Sequence, residues 1–141
     1  MSSSENWLGA GMGQREAIVK ARVGQGKFRD DVFEMWNKQC PVTKVDMPAI
    51  LVASHIVSWQ LSTDEEKLDP FNGFPLAPAV DKLFDKGYIS FSDSGELLVH
   101  NVIRGEVLSR LGISPDAIIT GLSERHRAYL RRHRQTHGFS C

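Results

Sequence analysis

An α+β domain is the fold class this sequence predicts, and three stretches predict it. Residues 28–39 repeat apolar side chains at helical spacing. Two short apolar runs, 49–53 and 74–76, flank a polar loop that closes on the turn dipeptide Asn72-Gly73. Residues 88–99 place two strand-like runs around Ser92-Asp93-Ser94-Gly95, the pattern of a β-hairpin. The chain has 141 residues, 41% hydrophobic and 24% charged, enough to bury one core without disulfide help.

Taken in order, residues 1–13 are rich in Ser and Gly without a period, and are expected to form a flexible lead-in to one domain over 14–141. Residues 14–23 have helix-forming composition, after which Gly24 and Gly26 punctuate the chain. In 28–39, Phe28, Val32, Met35 and Trp36 make one face of an amphipathic helix, with Arg29, Asp30, Glu34 and Lys38 opposite. Pro41 stops that helix at Cys40. Pro48 precedes the first strand, over 49–53, and His55 lies just past its end. Ser62 with Glu65, or Thr63 with Glu66, forms a capping box for one short helical turn before Asp69-Pro70.

A second strand is expected over 74–76, and Pro78 opens a helix over 79–86 that Gly87 closes. Val80, Leu83 and Phe84 form the apolar face of that helix, while Asp81 and Asp85 stand one turn apart on another. After the 88–99 hairpin come a helix over 102–111 and a connector over 113–121 without a clear assignment. Ser123 then caps a last helix reaching residue 136.

Composition narrows the function classes. No apolar run approaches the ~20 residues of a membrane span, and the N-terminus lacks a basic-then-apolar signal pattern. Two cysteines, Cys40 and Cys141, make neither a disulfide framework nor a CxxC zinc knuckle, so a reduced, cytoplasmic protein is expected. The net charge is zero but unevenly spread: +3 over 15–44, −6 over 45–96 and +4 over 97–141. An acidic centre between basic ends suits a metal site flanked by phosphate-binding surfaces. His133, His137 and Cys141 recur every four residues, but three ligands ending at the terminus make a poor zinc face.

The acidic centre holds a histidine at a strand end, an asparagine at a turn and two carboxylates four residues apart. Those are the parts of metal-assisted attack on a phosphodiester: a base, a residue to orient it, and oxygen ligands for a divalent ion. Histidine suits the base because its ordinary pKa of ~6.5 leaves it largely neutral at working pH.

Val52-Ala53-Ser54-His55-Ile56, Leu68-Asp69-Pro70-Phe71-Asn72-Gly73 and Asp81-Lys82-Leu83-Phe84-Asp85-Lys86-Gly87 together resemble the HNH endonucleases. They look most like the bacterial and phage branch with an Ala-Ser-His-Ile core and an Asp-x-Leu-Phe-Asp helix. Gly24-Gln25-Gly26-Lys27-Phe28-Arg29, Cys40-Pro41-Val42-Thr43, Ile89-Ser90-Phe91 and Tyr129-Leu130-Arg131-Arg132-His133-Arg134 extend the resemblance over residues 22–139. It implies a ββα-metal core, two antiparallel strands and a helix around one divalent ion. It also implies a metal-dependent endonuclease acting on DNA, with His55 as general base and Asn72 holding the loop that orients it. Asp81 takes the family's final histidine position, and Asp85 follows one turn later as a second metal ligand.

Two departures from the broad pattern matter. Ser54 stands where many members have an aspartate or histidine ligand, and Asp81 stands in place of a histidine. The remaining donors are oxygens, which favours Mg²⁺, or Mn²⁺, over Zn²⁺ or Ni²⁺. Arg125, Arg127, Arg131, Arg132 and Arg134, with Lys27 and Arg29, are the expected phosphate contacts. The alternative is a nucleic-acid-binding module that kept the fold and lost catalysis. RNA as substrate, fusion to or association with a DNA-recognition domain, and homodimerisation stay open.

Overall fold

The computed structural model describes residues 13–139; the expected lead-in lies, save for Gly13, outside the described residues, as does Cys141. Helix α1 runs unbroken over Gln14–Met35, where the sequence predicts a break at the two glycines. Gly24 is there for packing rather than for a turn. A Cβ at that position would sit 2.9 Å from Leu68 Cδ2, so the bare backbone receives the leucine. The helix stops just past Met35 because Asn37 and Lys38 adopt left-handed φ values of 56° and 57°. Cys40 then anchors a tight turn, its N–H donating to the Val45 carbonyl at 2.9 Å.

Pro48 starts a 3₁₀ turn, Pro48–Ile50, which displaces the first strand to β1, Val52–His55. β1 pairs antiparallel with β2, Gly73–Leu76, in a register that sets Val52 opposite Leu76 and His55 opposite Gly73. Between them, Thr63 and Glu66, the second of the two expected pairs, form the capping box on the single-turn α2, Asp64–Leu68. Asp69 caps the following turn by accepting the Phe71 N–H. α3, Pro78–Asp85, begins on proline and ends at Gly87, whose φ of 78° suits glycine.

β3, Ile89–Phe91, and β4, Leu97–Val99, form the second hairpin, and Ile118 bridges to Glu96 beside it. α4 is shorter than expected, Gly105–Arg110. α5, Glu124–His137, is closed at its start by a Ser123–His126 capping box and at its end by left-handed Gly138. The fold is thus mixed α and β, with two small antiparallel hairpins among the described residues. No described helix is long and apolar enough to cross a membrane.

One apolar cluster joins these parts. Phe28 and Val32 of α1, Phe74 and Leu76 of β2, Val80 and Phe84 of α3, and Phe91 of β3 are all buried in it. Gly73 lets α1 close onto the first hairpin, since a Cβ there would lie 2.6 Å from Phe28 Cζ. On the other side Phe74 packs against Phe84 of α3, ring centroids 6.1 Å apart. His55, opposite Gly73, therefore faces α1, whereas α3 covers the alternate residues.

Candidate active site

His55 is held on three sides. Its ring stacks on Phe28, centroids 4.0 Å apart and planes 2° from parallel, and meets Trp59 edge-on at 5.8 Å. Its Nε2 lies 2.8 Å from the Lys67 carbonyl. A carbonyl only accepts, so Nε2 carries the proton and the neutral ring presents its lone pair at Nδ1. Nδ1 has no hydrogen-bond partner among the described residues and is not sealed from solvent. Burial lowers the His55 pKa below the ordinary 6.5, and the Lys67 carbonyl, which favours the protonated ring, only partly offsets it. The result is an oriented, neutral imidazole with one open nitrogen.

Asn72 is fully buried, and it braces the loop rather than touching the histidine. Its Oδ1 accepts the Val57 N–H at 2.8 Å, and its Nδ2 donates to the Glu66 carbonyl at 3.0 Å and to Ser62 Oγ at 3.3 Å. The Ile56 N–H donates in turn to the Asn72 carbonyl at 3.0 Å. One side chain thus ties the segment after His55 to the helix that carries the Lys67 carbonyl.

Asp81 is half-buried and Asp85 exposed on α3. Asp85 lines a cleft of about 340 Å³, shared with Ile56, Val57 and Ser58 from the loop after His55 and with His137 of α5. His55 is not among its lining residues. Among the described residues no group of three or more His, Cys, Asp or Glu side chains is placed to hold a metal ion. Ser54, at the position where a further ligand is expected, is buried at 4% exposure. The donor set does not build a closed zinc cage. Asp81 does not line that cleft either, so the fit to Mg²⁺ rests on donor chemistry alone: two carboxylates one turn apart suit an ion that commonly takes one or two carboxylates and keeps waters for exchange with substrate phosphate.

The expected phosphate contacts are largely engaged within the protein. Arg125 donates to Asp69 at 2.8 Å and lies over the Phe71 ring. Arg127 donates to the Asp93 and Leu122 carbonyls, and Arg131 to Glu124 and Asp93. Arg132 grips Glu66 at 2.6 Å and the Leu61 carbonyl at 3.1 Å, holding the Glu66 carboxyl below its usual range. Arg134 is 6% exposed and donates to the Phe91 carbonyl and Asp93, so its guanidinium fastens α5 to the second hairpin. Arg29 reaches the Leu51 and Pro48 carbonyls, and Lys27 pairs with Asp31 at 2.8 Å. Side chains of Lys27, Arg125, Arg131 and Arg132 keep 77%, 61%, 45% and 40% exposure, which leaves them faces for solvent.

His133 does not form a metal face. Its Nδ1 bonds Ser90 Oγ at 2.8 Å and its Nε2 donates to the Phe84 carbonyl at 2.9 Å, leaving neither nitrogen free. Sequence reasoning saw Phe28 as core but not as the platform beneath His55, and it overlooked Lys67. Aromatic and lysine positions in a chain carry no mark of which ring or carbonyl they will meet.

Residues 40–92 match the model of a family described as HNH endonuclease. The match contains β1, the capped loop, β2, α3 and β3, and so the His55, Asn72, Asp81 and Asp85 positions. No curated protein matches the chain.

Proposed function

We propose that the chain, whose residues 40–92 match the HNH endonuclease family, is a metal-dependent DNA endonuclease with His55 as general base. The carrying observation is the 2.8 Å contact of His55 Nε2 with the Lys67 carbonyl, which leaves Nδ1 basic and open. Nδ1 removes a proton from the water that attacks the scissile phosphorus in line, and the 3′ oxygen leaves. Asn72 is a positioning residue that keeps the loop closed around the base. Asp81 and Asp85 would hold the ion; a bound Mg²⁺ supplies positive charge beside the phosphate and the leaving oxygen. Exposed faces of Lys27, Arg125, Arg131 and Arg132 meet the phosphate backbone without reading sequence.

A binding module without catalysis is the second reading, favoured by the small buried Ser54 at the expected ligand position. Plasmid nicking with Mg²⁺, Mn²⁺ or chelator separates the two. The nuclease reading expects metal-dependent relaxation, reduced about 10²- to 10⁴-fold in His55→Ala with DNA binding retained. Cleavage that survives both the substitution and chelation sinks the mechanism. Binding without cleavage under any metal establishes the module.

A further inference from the structure

Lysine is almost never fully buried unless it is paired, yet Lys67 is 2% exposed. Its Nζ lies 4.9 Å from the centroid of the Trp59 ring and 3.4 Å from Asp64 Oδ1. The Asp64 side chain is 58% exposed and the contact is long, so that ion pair alone offsets little of the burial. The indole face supplies a second electrostatic partner in a desolvated setting. The same residue turns its main chain the other way, and its carbonyl receives the His55 Nε2–H at 2.8 Å. Trp59 completes the circuit by meeting the His55 ring edge-on at 5.8 Å.

The helix carrying this carbonyl spans only Asp64–Leu68. A single turn is too short to hold its own geometry, and its last carbonyls have no intrahelical donors. External ties must set the direction of the Lys67 carbonyl. Glu66 supplies one through Arg132 and Asn72 another through the Glu66 carbonyl. At residue 67 itself the main-chain N–H donates to the Thr63 carbonyl at 2.9 Å, and the side chain adds the buried ammonium on Trp59 and Asp64.

We propose that Lys67 is a positioning residue for the phosphodiester cleavage: its buried side chain, seated on Trp59, aims the carbonyl that locks His55 in the Nε2–H form. This rests on His55 being the base. At 2% exposure the ammonium is not a DNA contact, so its removal changes turnover rather than substrate affinity.

Lys67→Met keeps an unbranched apolar stem and removes the cation. In the full chain, with folding checked by circular dichroism, kcat for Mg²⁺-supported nicking falls by about 100-fold, as expected for a misaimed base. KM for DNA stays within about twofold, the mark of a step-specific loss. Nitrogen-15 spectra of the imidazole change from one Nε2–H tautomer to an average. Lys67→Arg, which keeps a cation able to lie on the indole face, retains more kcat than Lys67→Met. An unchanged kcat with an unchanged tautomer overturns the proposal, and so does a raised KM at intact kcat, which would make Lys67 a phosphate contact. Should Lys67→Met not fold, Lys67→Gln, which keeps the stem and ends in a neutral polar head, must move kcat and the tautomer in the same direction. If wild type cleaves nothing, the nuclease reading fails while the tautomer comparison still decides whether Lys67 aims His55.

Discussion

His55 illustrates how much of a residue's chemistry comes from what touches it. Burial against Phe28 lowers its pKa from the ordinary 6.5, and the Lys67 carbonyl pulls weakly the other way. The base is therefore neutral and competent wherever the pH exceeds that lowered value. The acid limb of kcat/KM for DNA nicking should have its midpoint below 6.5, and activity should be flat from there toward neutrality. A midpoint above 6.5 would mean that the imidazolium is stabilised in the working enzyme, against the observed environment. Asn72 carries a complementary lesson. The turn dipeptide marks its place in the chain, but its function depends on Val57, Ser62 and Glu66, which lie up to fifteen residues away.

At the scale of elements, the decisive contact is α1 against the first hairpin. Its fit depends on Gly73, which has an extended φ of −160°, so any side chain could adopt the backbone. Space is what forbids one: a Cβ would approach Phe28 Cζ at 2.6 Å and Val32 Cγ2 at 3.0 Å. Gly73→Ala should cost about 1–3 kcal/mol through overpacking, read by thermal denaturation. It should also reduce nicking more than the stability loss explains, because the displaced Phe28 is the ring on which His55 stacks. Unaltered activity in a folded Gly73→Ala protein would show that the stack is not needed. The helix caps were legible because Thr63-x-x-Glu66 is a local signal, and the span of α5 was legible from Ser123 for the same reason. The continuity of α1 was not: Gly24 reads as punctuation until Leu68, forty-four residues later, is seen to occupy its missing Cβ.

For the whole molecule, two buried histidines couple folding to acidity. Desolvation pushes His126 and His133 down to about 4 from 6.5. The unfolded chain then binds more protons between those values, so their contribution is complete above pH 6.5 and is lost as pH falls toward 4. Each is worth on the order of 3 kcal/mol over that window. Urea midpoints should hold steady above pH 6.5 and decline below it, before the Arg-paired carboxylates Glu66 and Asp93 titrate. A midpoint constant down to pH 4 would contradict the burial of both rings. The basic C-terminal third also reads differently in three dimensions. Arg125, Arg132 and Arg134 bind α5 to the Asp69 turn, α2 and the second hairpin, so much of the charge asymmetry is cohesion within the protein.

The sequence by itself determined the mixed α and β class, most of its elements, the caps and the resemblance that singles out His55. Those rest on short-range signals: helical and strand periods, Pro and Gly at ends, and motifs within a few residues. Only the tertiary structure decided which nitrogen of His55 is open, that Asn72 braces a loop, and that Lys67 lies buried against the face of Trp59. It likewise decided that Arg134 is an internal tie. Each of these depends on desolvation and on partners distant in the chain, and hydrogen-bond geometry at 2.8 Å is set by the packing that brings them together.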